Sequence, residues 1–219
     1  MNEWIRVNGI VLSSMPIGEY DRRLLLLTAE LGKISAFAKG ARRPGSQLLS
    51  ATRLFAAGQF DLYAGRSSYT VKAAAIKNFF EFLSEDPEAL CYASYFAEIA
   101  DYFGQENAEA GELLKTLYMA LRSLSHEKLS RSLVRYVYEL KTLQLEGEAP
   151  PQPDIEVGES AAKAWEYVLS SPPEKCYFFG LAPEGFRDFS RAVADLRSRL
   201  VDKNFRSLRV LEEFLSLQI

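Results

Sequence analysis

The stretch Ala38-Lys39-Gly40-Ala41-Arg42-Arg43-Pro44-Gly45-Ser46 is where side chains able to do chemistry concentrate. Its three cations sit on a segment bounded by glycine and proline. The strand-like run before it carries Lys33 and Phe37. Cations neutralise phosphates, and an aromatic ring stacks on a base at about 1–3 kcal/mol. Together they suit the binding of single-stranded nucleic acid. Gly40 to Ser46 also has the outline of the phosphate-cradling loop G-x-x-x-x-G-K-[ST]. No lysine stands between Gly45 and Ser46, however, and that lysine is the group that reaches the phosphates. Residues 47–50 carry no strong helix signal, so nucleotide hydrolysis is excluded here. An isolated basic loop can also be merely solvated, and its surroundings must decide between the two.

Further cations are weaker candidates. Arg22 and Arg23 follow the turn Gly18-Glu19-Tyr20-Asp21. They either extend the basic surface or pair with Glu19 and Asp21, an exposed pairing worth about 0–1 kcal/mol. Arg53 and Lys72 complete the candidate binding set. Arg187, Arg191, Arg197, Arg199, Lys203, Arg206 and Arg209 pepper the end of the chain with Asp188, Asp195 and Asp202 among them. That mixture reads equally as a solvated helix surface or as a second DNA contact.

Catalytic material is scarce. His126, the one histidine, follows Ser125 at an expected helix start, where a cap or surface role suits it, and no serine or cysteine motif supplies a triad. Cys91 lies in an apolar helical pattern and is expected in the core. Two cysteines and one histidine without close spacing do not make a four-ligand zinc site. We expect no catalytic residue, no metal and no cofactor.

The elements that must position the basic loop divide the 219-residue chain by charge. Residues 1–80 hold 11 Lys+Arg against 5 Asp+Glu, a balance of +6. Residues 81–186 balance at -11 and residues 187–219 at +2, giving the overall -3. The +6 around the loop favours binding over mere solvation. Strand patterns occupy residues 4–12, 24–28, 33–39, 59–64 and 69–76. Ile34, Ala36 and Ala38 alternate against Lys33, Ser35, Phe37 and Lys39, and residues 31–33 and 64–68 read as turns. Five short strands with Gly-bearing turns predict a small barrel. The hydrophobic period then becomes helical. Pro87 marks a start with Ser84 as a plausible cap, and a second helix uses Leu113, Leu114, Leu117, Leu121 and Leu124. A third follows Ser125, and others cover residues 161–169, 186–200 and 205–217. The fold class is mixed α+β: a barrel over residues 1–78, then a helical domain over residues 79–219. No apolar run approaches the roughly 20 residues of a membrane helix. Residues 1–6 lack a secretory pattern, and the sparse cysteines suit a cytoplasmic protein.

These residues resemble a known family. Gly9-Ile10-Val11-Leu12, Gly18-Glu19-Tyr20-Asp21, Leu27-Thr28, Gly32-Lys33-Ile34 and Phe37-Ala38-Lys39-Gly40-Ala41-Arg42 resemble, in order, the start of RecO proteins. Glu139-Leu140-Lys141-Thr142-Leu143 with Gly147 and Pro150 resembles the family's middle, and Arg206-Ser207-Leu208-Arg209-Val210-Leu211 its end. The resemblance implies an OB-fold barrel that binds single- and double-stranded DNA and promotes strand annealing. It implies partnership with RecR and with the acidic C-terminal tail of single-stranded-DNA-binding protein, together loading the recombinase RecA during repair, in the cytoplasm near the nucleoid. It places the family's basic stretch at Lys39, Arg42 and Arg43. Many members carry a four-cysteine zinc module. Here Asp154-Ile155-Glu156-Val157-Gly158 stands where C-x-x-C-G is expected, so we expect no zinc, with the 161–169 helix packing as the local staple. The rival reading is a protein-interaction adaptor whose working surface is the acidic helical domain. An enzyme is a distant third.

Overall fold

The computed structural model describes residues 4–65 and 68–217. Five strands close into a barrel in the order β1-β2-β3-β5-β4: β1 Trp4–Ile17, β2 Asp21–Thr28, β3 Gly32–Ala38, β4 Ala57–Ala64 and β5 Tyr69–Asn78. All pairs are antiparallel except β3 with β5, which run parallel through Ala36↔Tyr69 and Phe37↔Thr70. This five-stranded Greek-key closure is the OB arrangement. β1 is longer than its apolar pattern predicts. A bulge at Leu12, between Val11 and Ser13, bends it so that it pairs with β4 at one end and β2 at the other. The short helix α1 (Leu48–Ala51) follows β3, in a stretch where the sequence shows no strong helix signal. It forms because Leu48 packs on the barrel core and Ala51 is buried, a tertiary override of weak propensity. Arg66 and Ser67 of the expected 64–68 turn lie outside the described residues, as do Met1 to Glu3.

Period-2 alternation builds the barrel core. Ile34, Ala36 and Ala38 point inward from β3 and meet Val7, Val11, Leu24, Leu26, Phe60, Leu62 and Val71. Residues 100–114 belong to the same compact unit as the strands. They lace onto the β2–β3 hairpin by backbone bonds: Lys33 N to Gln105 O at 2.9 Å, Asn107 N to Leu31 O at 3.1 Å and Ala110 N to Ala29 O at 2.9 Å. Gly32, at the predicted turn, has φ +66° and lies so close to Gln105 that a Cβ would stand 2.0 Å from its carbonyl oxygen. Only glycine fits there.

The second unit comprises residues 82–99 and 115–219. The helices in chain order are α2 Pro87–Phe103, α3 Gly111–Ser123, α4 Arg131–Leu145, α5 Glu159–Ser170, α6 Pro183–Leu200 and α7 Arg206–Ser216. Tyr92, Tyr95, Phe96, Tyr138, Trp165, Tyr177 and Phe189 fill the core of this unit. Three local expectations are corrected. Asp86, not Ser84, caps α2, its Oδ1 accepting Ala89 N at 3.0 Å, because Pro87 takes the first helical position and puts the cap one residue before it. The helix expected after Ser125 starts at Arg131, where Ser130 accepts Leu133 N. Cys91 is partly exposed rather than core, since the apolar face of α2 is carried by Ala89, Tyr92, Ala93 and Phe96.

Candidate nucleic-acid interface

The basic loop is built on the barrel by contacts no local pattern announces. Asp21, at the start of β2, turns its carboxylate to Gly40 N at 2.7 Å. Gly40 has φ +65°, so the chain reverses there without strain. Arg42 N donates to Tyr20 O at 2.8 Å and Arg42 Nη1 to Gly18 O at 3.4 Å. The Arg43 guanidinium lies 5.1 Å from the centre of the Tyr20 ring. The loop is thus stitched to the β1–β2 turn, and Lys39, Arg42 and Arg43 are all exposed. Tyr20, read from the sequence only as part of a turn, becomes part of the site. Local spacing carries no signal for this contact, which joins two loops.

Arg22 and Arg23 neighbour each other in sequence and face opposite ways. Arg23 lies on the outer surface, its Nε on Ser35 Oγ at 3.0 Å, and is opposite Phe37 in the β2–β3 register. Arg22 follows the inward set of Leu24 and Leu26 to the barrel mouth, donating through Nη1 to Ser14 Oγ at 3.0 Å. Its buried Nε has no partner among the described residues. A cleft of about 430 Å³ opens there, lined by Arg22, Ser46, Leu49, Ser50, Thr52 and Arg53. The structure therefore brings Arg22 and Arg53 together, with Arg53 also resting 5.5 Å from the Phe79 ring centre. Neither Arg22 nor Arg23 takes Glu19 or Asp21 as a salt-bridge partner. Lys33 stands apart, engaged through Nζ by the Asp101 carboxylate at 3.0 Å and by the Asp101 carbonyl. Lys72 lies on β5, away from the loop cations in strand register, beside Trp4 and Tyr63.

The electrostatic contrast along the chain is sharp. Among the described residues, Arg22, Arg23, Lys39, Arg42, Arg43 and Arg53 form no ion pair. In the helical unit Arg131, Arg135, Arg191, Arg197, Arg199, Lys203 and Arg209 each lie on a carboxylate. The C-terminal arginines are mostly spent on their own acids, which favours the solvated-surface alternative for that stretch.

Two charges of the Glu139-to-Leu143 segment turn out to be internal. Glu139 Oε1 accepts from Tyr95 OH at 2.8 Å and Arg135 Nε at 2.9 Å, with Arg197 Nη1 at 3.4 Å. Burial, with the Glu139 charge adding to it, pushes the Tyr95 hydroxyl well above its ordinary range. Lys141 Nζ donates to the carbonyls of Val168 at 3.0 Å and Ser171 at 2.6 Å and to Gln144 Oε1 at 2.7 Å, closing the C-terminal end of α5.

The residues present do not fit a zinc ion. Asp154 is held by Arg199 at 2.8 Å, and Cys176 is buried with its thiol 3.5 Å from Pro173 O. Burial pushes that thiol up to about 12. Among the described residues no group of three or more His, Cys, Asp or Glu gathers where a metal could sit, and no helix is long and apolar enough to cross a membrane. His126 is exposed, edge-on to Phe178.

An OB barrel with an unneutralised basic loop, followed by a helical unit, defines the class. Comparison with known proteins narrows it. Residues 1–80 match the family model described as "Recombination protein O N terminal" and residues 84–153 the one described as "Recombination protein O C terminal", together more than two thirds of the chain. The chain is 29% identical over 216 residues to the DNA repair protein RecO of Alkaliphilus metalliredigens, covering 98% of this chain and 85% of that one. It is 26% identical to that of Acetivibrio thermocellus, over 94% of this chain and 95% of that one. With that of Moorella thermoacetica it shares 35% over 145 residues, 66% of this chain and 54% of the relative. The chain belongs to the RecO family of DNA repair proteins.

Proposed function

We propose that this chain is a non-catalytic recombination mediator whose barrel binds single- and double-stranded DNA and promotes annealing. The observation that carries the reading is the set of exposed loop cations, Lys39, Arg42 and Arg43, without acidic partners on a barrel of +6 sequence charge. Arg23, with Phe37 beside it, and the cleft of Arg22 and Arg53 extend the surface. Phosphates of two strands held by these cations repel one another less, so complementary bases can meet. Lys33, engaged by Asp101, acts in this reading by positioning β3. Lys72 serves the same ligand on β5.

The partnership with RecR, and through it RecA loading on DNA coated with single-stranded-DNA-binding protein, belongs to the same proposal. Support for an acidic peptide partner comes from a cleft of about 610 Å³ beside α7. Phe205 and Leu208 line it together with Lys203, Arg206, Arg209 and Glu212. Lys203 and Arg209 lie on Glu98 and Glu213, so the apolar walls and Arg206 are what would receive the acidic tail of single-stranded-DNA-binding protein. The protein would act in the cytoplasm, at the nucleoid.

Fluorescence anisotropy of a labelled single-stranded oligonucleotide at several salt concentrations tests the DNA reading. About four phosphates engaged predicts a log–log slope of about -3. Arg42→Glu with Arg43→Glu is expected to weaken binding at least tenfold at low salt with unchanged melting. Absence of binding at low salt would overturn the reading and shift the weight to the adaptor function of the helical unit.

A further inference from the structure

A second feature of the barrel surface is not used by the basic loop. Trp4 on β1 stands directly opposite Tyr63 on β4. Trp4 is 52% exposed and contributes nothing to the barrel core, which Val7, Phe60, Leu62 and Val71 fill. The β5 register sets Ala73 against Asp61 and Val71 against Leu62, so Lys72 is the extra residue of a bulge. Bulges re-aim side chains. Here Lys72 Nζ lies 5.5 Å from the Tyr63 ring centre and 5.9 Å from that of Trp4. Arg6 Cζ lies 5.5 Å from the Trp4 ring centre, its guanidinium held by both oxygens of Asp61 at 2.7 and 3.2 Å.

The strand registers connect this cluster to the surface described above. Trp4 is opposite Tyr63, Tyr63 opposite Thr70, Thr70 opposite Phe37, and Phe37 opposite Arg23. Opposed residues in a sheet face the same way, so one row of side chains runs round the outside of the barrel. Its four strand-to-strand steps of about 4.8 Å amount to roughly 19 Å of sheet. The row places three aromatic rings, Phe37, Tyr63 and Trp4, between Arg23 at one end and Arg6 with Lys72 at the other.

We propose that Trp4 and Tyr63, with Phe37, form a stacking platform for the unpaired bases of a single strand, Lys72 leaving the rings for a phosphate as a base arrives. The proposal rests on the DNA-binding reading and deepens it. The basic loop recognises phosphates of any duplex or strand, whereas the platform selects single strands, because the faces of paired bases are already occupied by their neighbours. Arg6, tied to Asp61, keeps the edge of the platform in place.

The protein reports on this directly. It has two tryptophans, and Trp165 is buried and bonded to Pro150 O, leaving Trp4 as the exposed one. The intact chain is titrated with oligothymidylate and, separately, with a duplex of equal phosphate number while tryptophan emission and anisotropy are followed. The expected result is strong quenching by the single strand and little by the duplex. Trp4→Ala with Tyr63→Ala is expected to lower single-strand affinity about tenfold or more, with duplex affinity unchanged, and Trp4→Phe to retain most of it. Salt-dependent binding of the single strand with unaltered emission would sink the platform and leave the DNA reading standing. Failure of both nucleic acids to bind would remove both. The quenching measurement needs no variant, so a destabilised double mutant does not spare the proposal.

Discussion

Glu139 shows what a motif residue can conceal. In sequence it is one acid on an amphipathic helix; in the structure it is 2% exposed and receives Tyr95, Arg135 and Arg197. Removing it leaves Arg135, itself 6% exposed, with only the solvent-exposed Glu212 at 3.4 Å as a counter-charge and takes a buried acceptor from Tyr95 and Arg197. Glu139→Ala is therefore expected to cost about 3–5 kcal/mol in urea unfolding, with DNA affinity of the folded fraction unchanged. On the barrel the contrast is between cations of the same type. Lys33→Ala removes a partly exposed pair with Asp101 and is expected to cost about 1 kcal/mol and to change single-strand affinity less than threefold. Arg43→Ala, which leaves Tyr20 uncovered, should weaken binding more and leave melting within a degree or two. Equal effects of the two on affinity would contradict the role assigned to Asp101.

At the scale of elements, the cap of α7 comes from another helix. Glu98 on α2 accepts Ser207 N at 2.9 Å and Arg206 N at 3.4 Å, as well as the Ser207 hydroxyl, so it satisfies the open N-terminus of α7. Burial alone would raise the Glu98 carboxyl, but the Ser207 and Arg206 donors and Lys203 outweigh it and hold the group below its ordinary value. Asp86 is held low in the same way: its burial is outweighed by Ala89 N and the Arg131 guanidinium. A depressed folded value means that the stabilisation is complete above the unfolded value, about 4.3 for Glu and 3.9 for Asp. It is lost as pH falls through the folded value. The melting temperature should thus fall on acidification below about pH 4.5, and Glu98→Gln with Asp86→Asn should flatten that fall in calorimetry while lowering stability near neutrality. Glu98→Ala should also expose the first amides of α7 to hydrogen exchange, at a cost of about 1 kcal/mol for a lost cap.

For the whole molecule, the division of the chain matters more than its count of elements. The barrel unit runs through residues 1–81 and resumes at residues 100–114. Leu27 is fully buried, and a side chain at Gly104 would stand 3.3 Å from it. The Gly32 turn is paired with Glu106. A fragment ending at residue 81 lacks these partners and exposes apolar surface at Leu27. It is expected to melt at least about 10 °C below the barrel of the full chain, or to aggregate, whereas a fragment that tethers residues 100–114 back should recover. Circular dichroism of the two fragments checks this.

Strand alternation, Gly-bearing turns and the change to a helical period are local properties, and they made five strands, six of the helices and the basic loop legible. The order of residues 9–42 was enough to suggest the family. What only tertiary structure decided is which charges are spent and which are free. Sequence places Lys33, Arg22 and Arg42 in one basic stretch. Folding hands the first to Asp101, turns the second into the barrel mouth and leaves the third exposed on the loop. It likewise sets Trp4 opposite Tyr63, 59 positions along the chain, and puts the Lys141 ammonium at the end of α5. The reason is physical: alternation records only which side of an element a residue faces. The partner waiting on that side comes from a distant segment, and strand register and helix packing choose it.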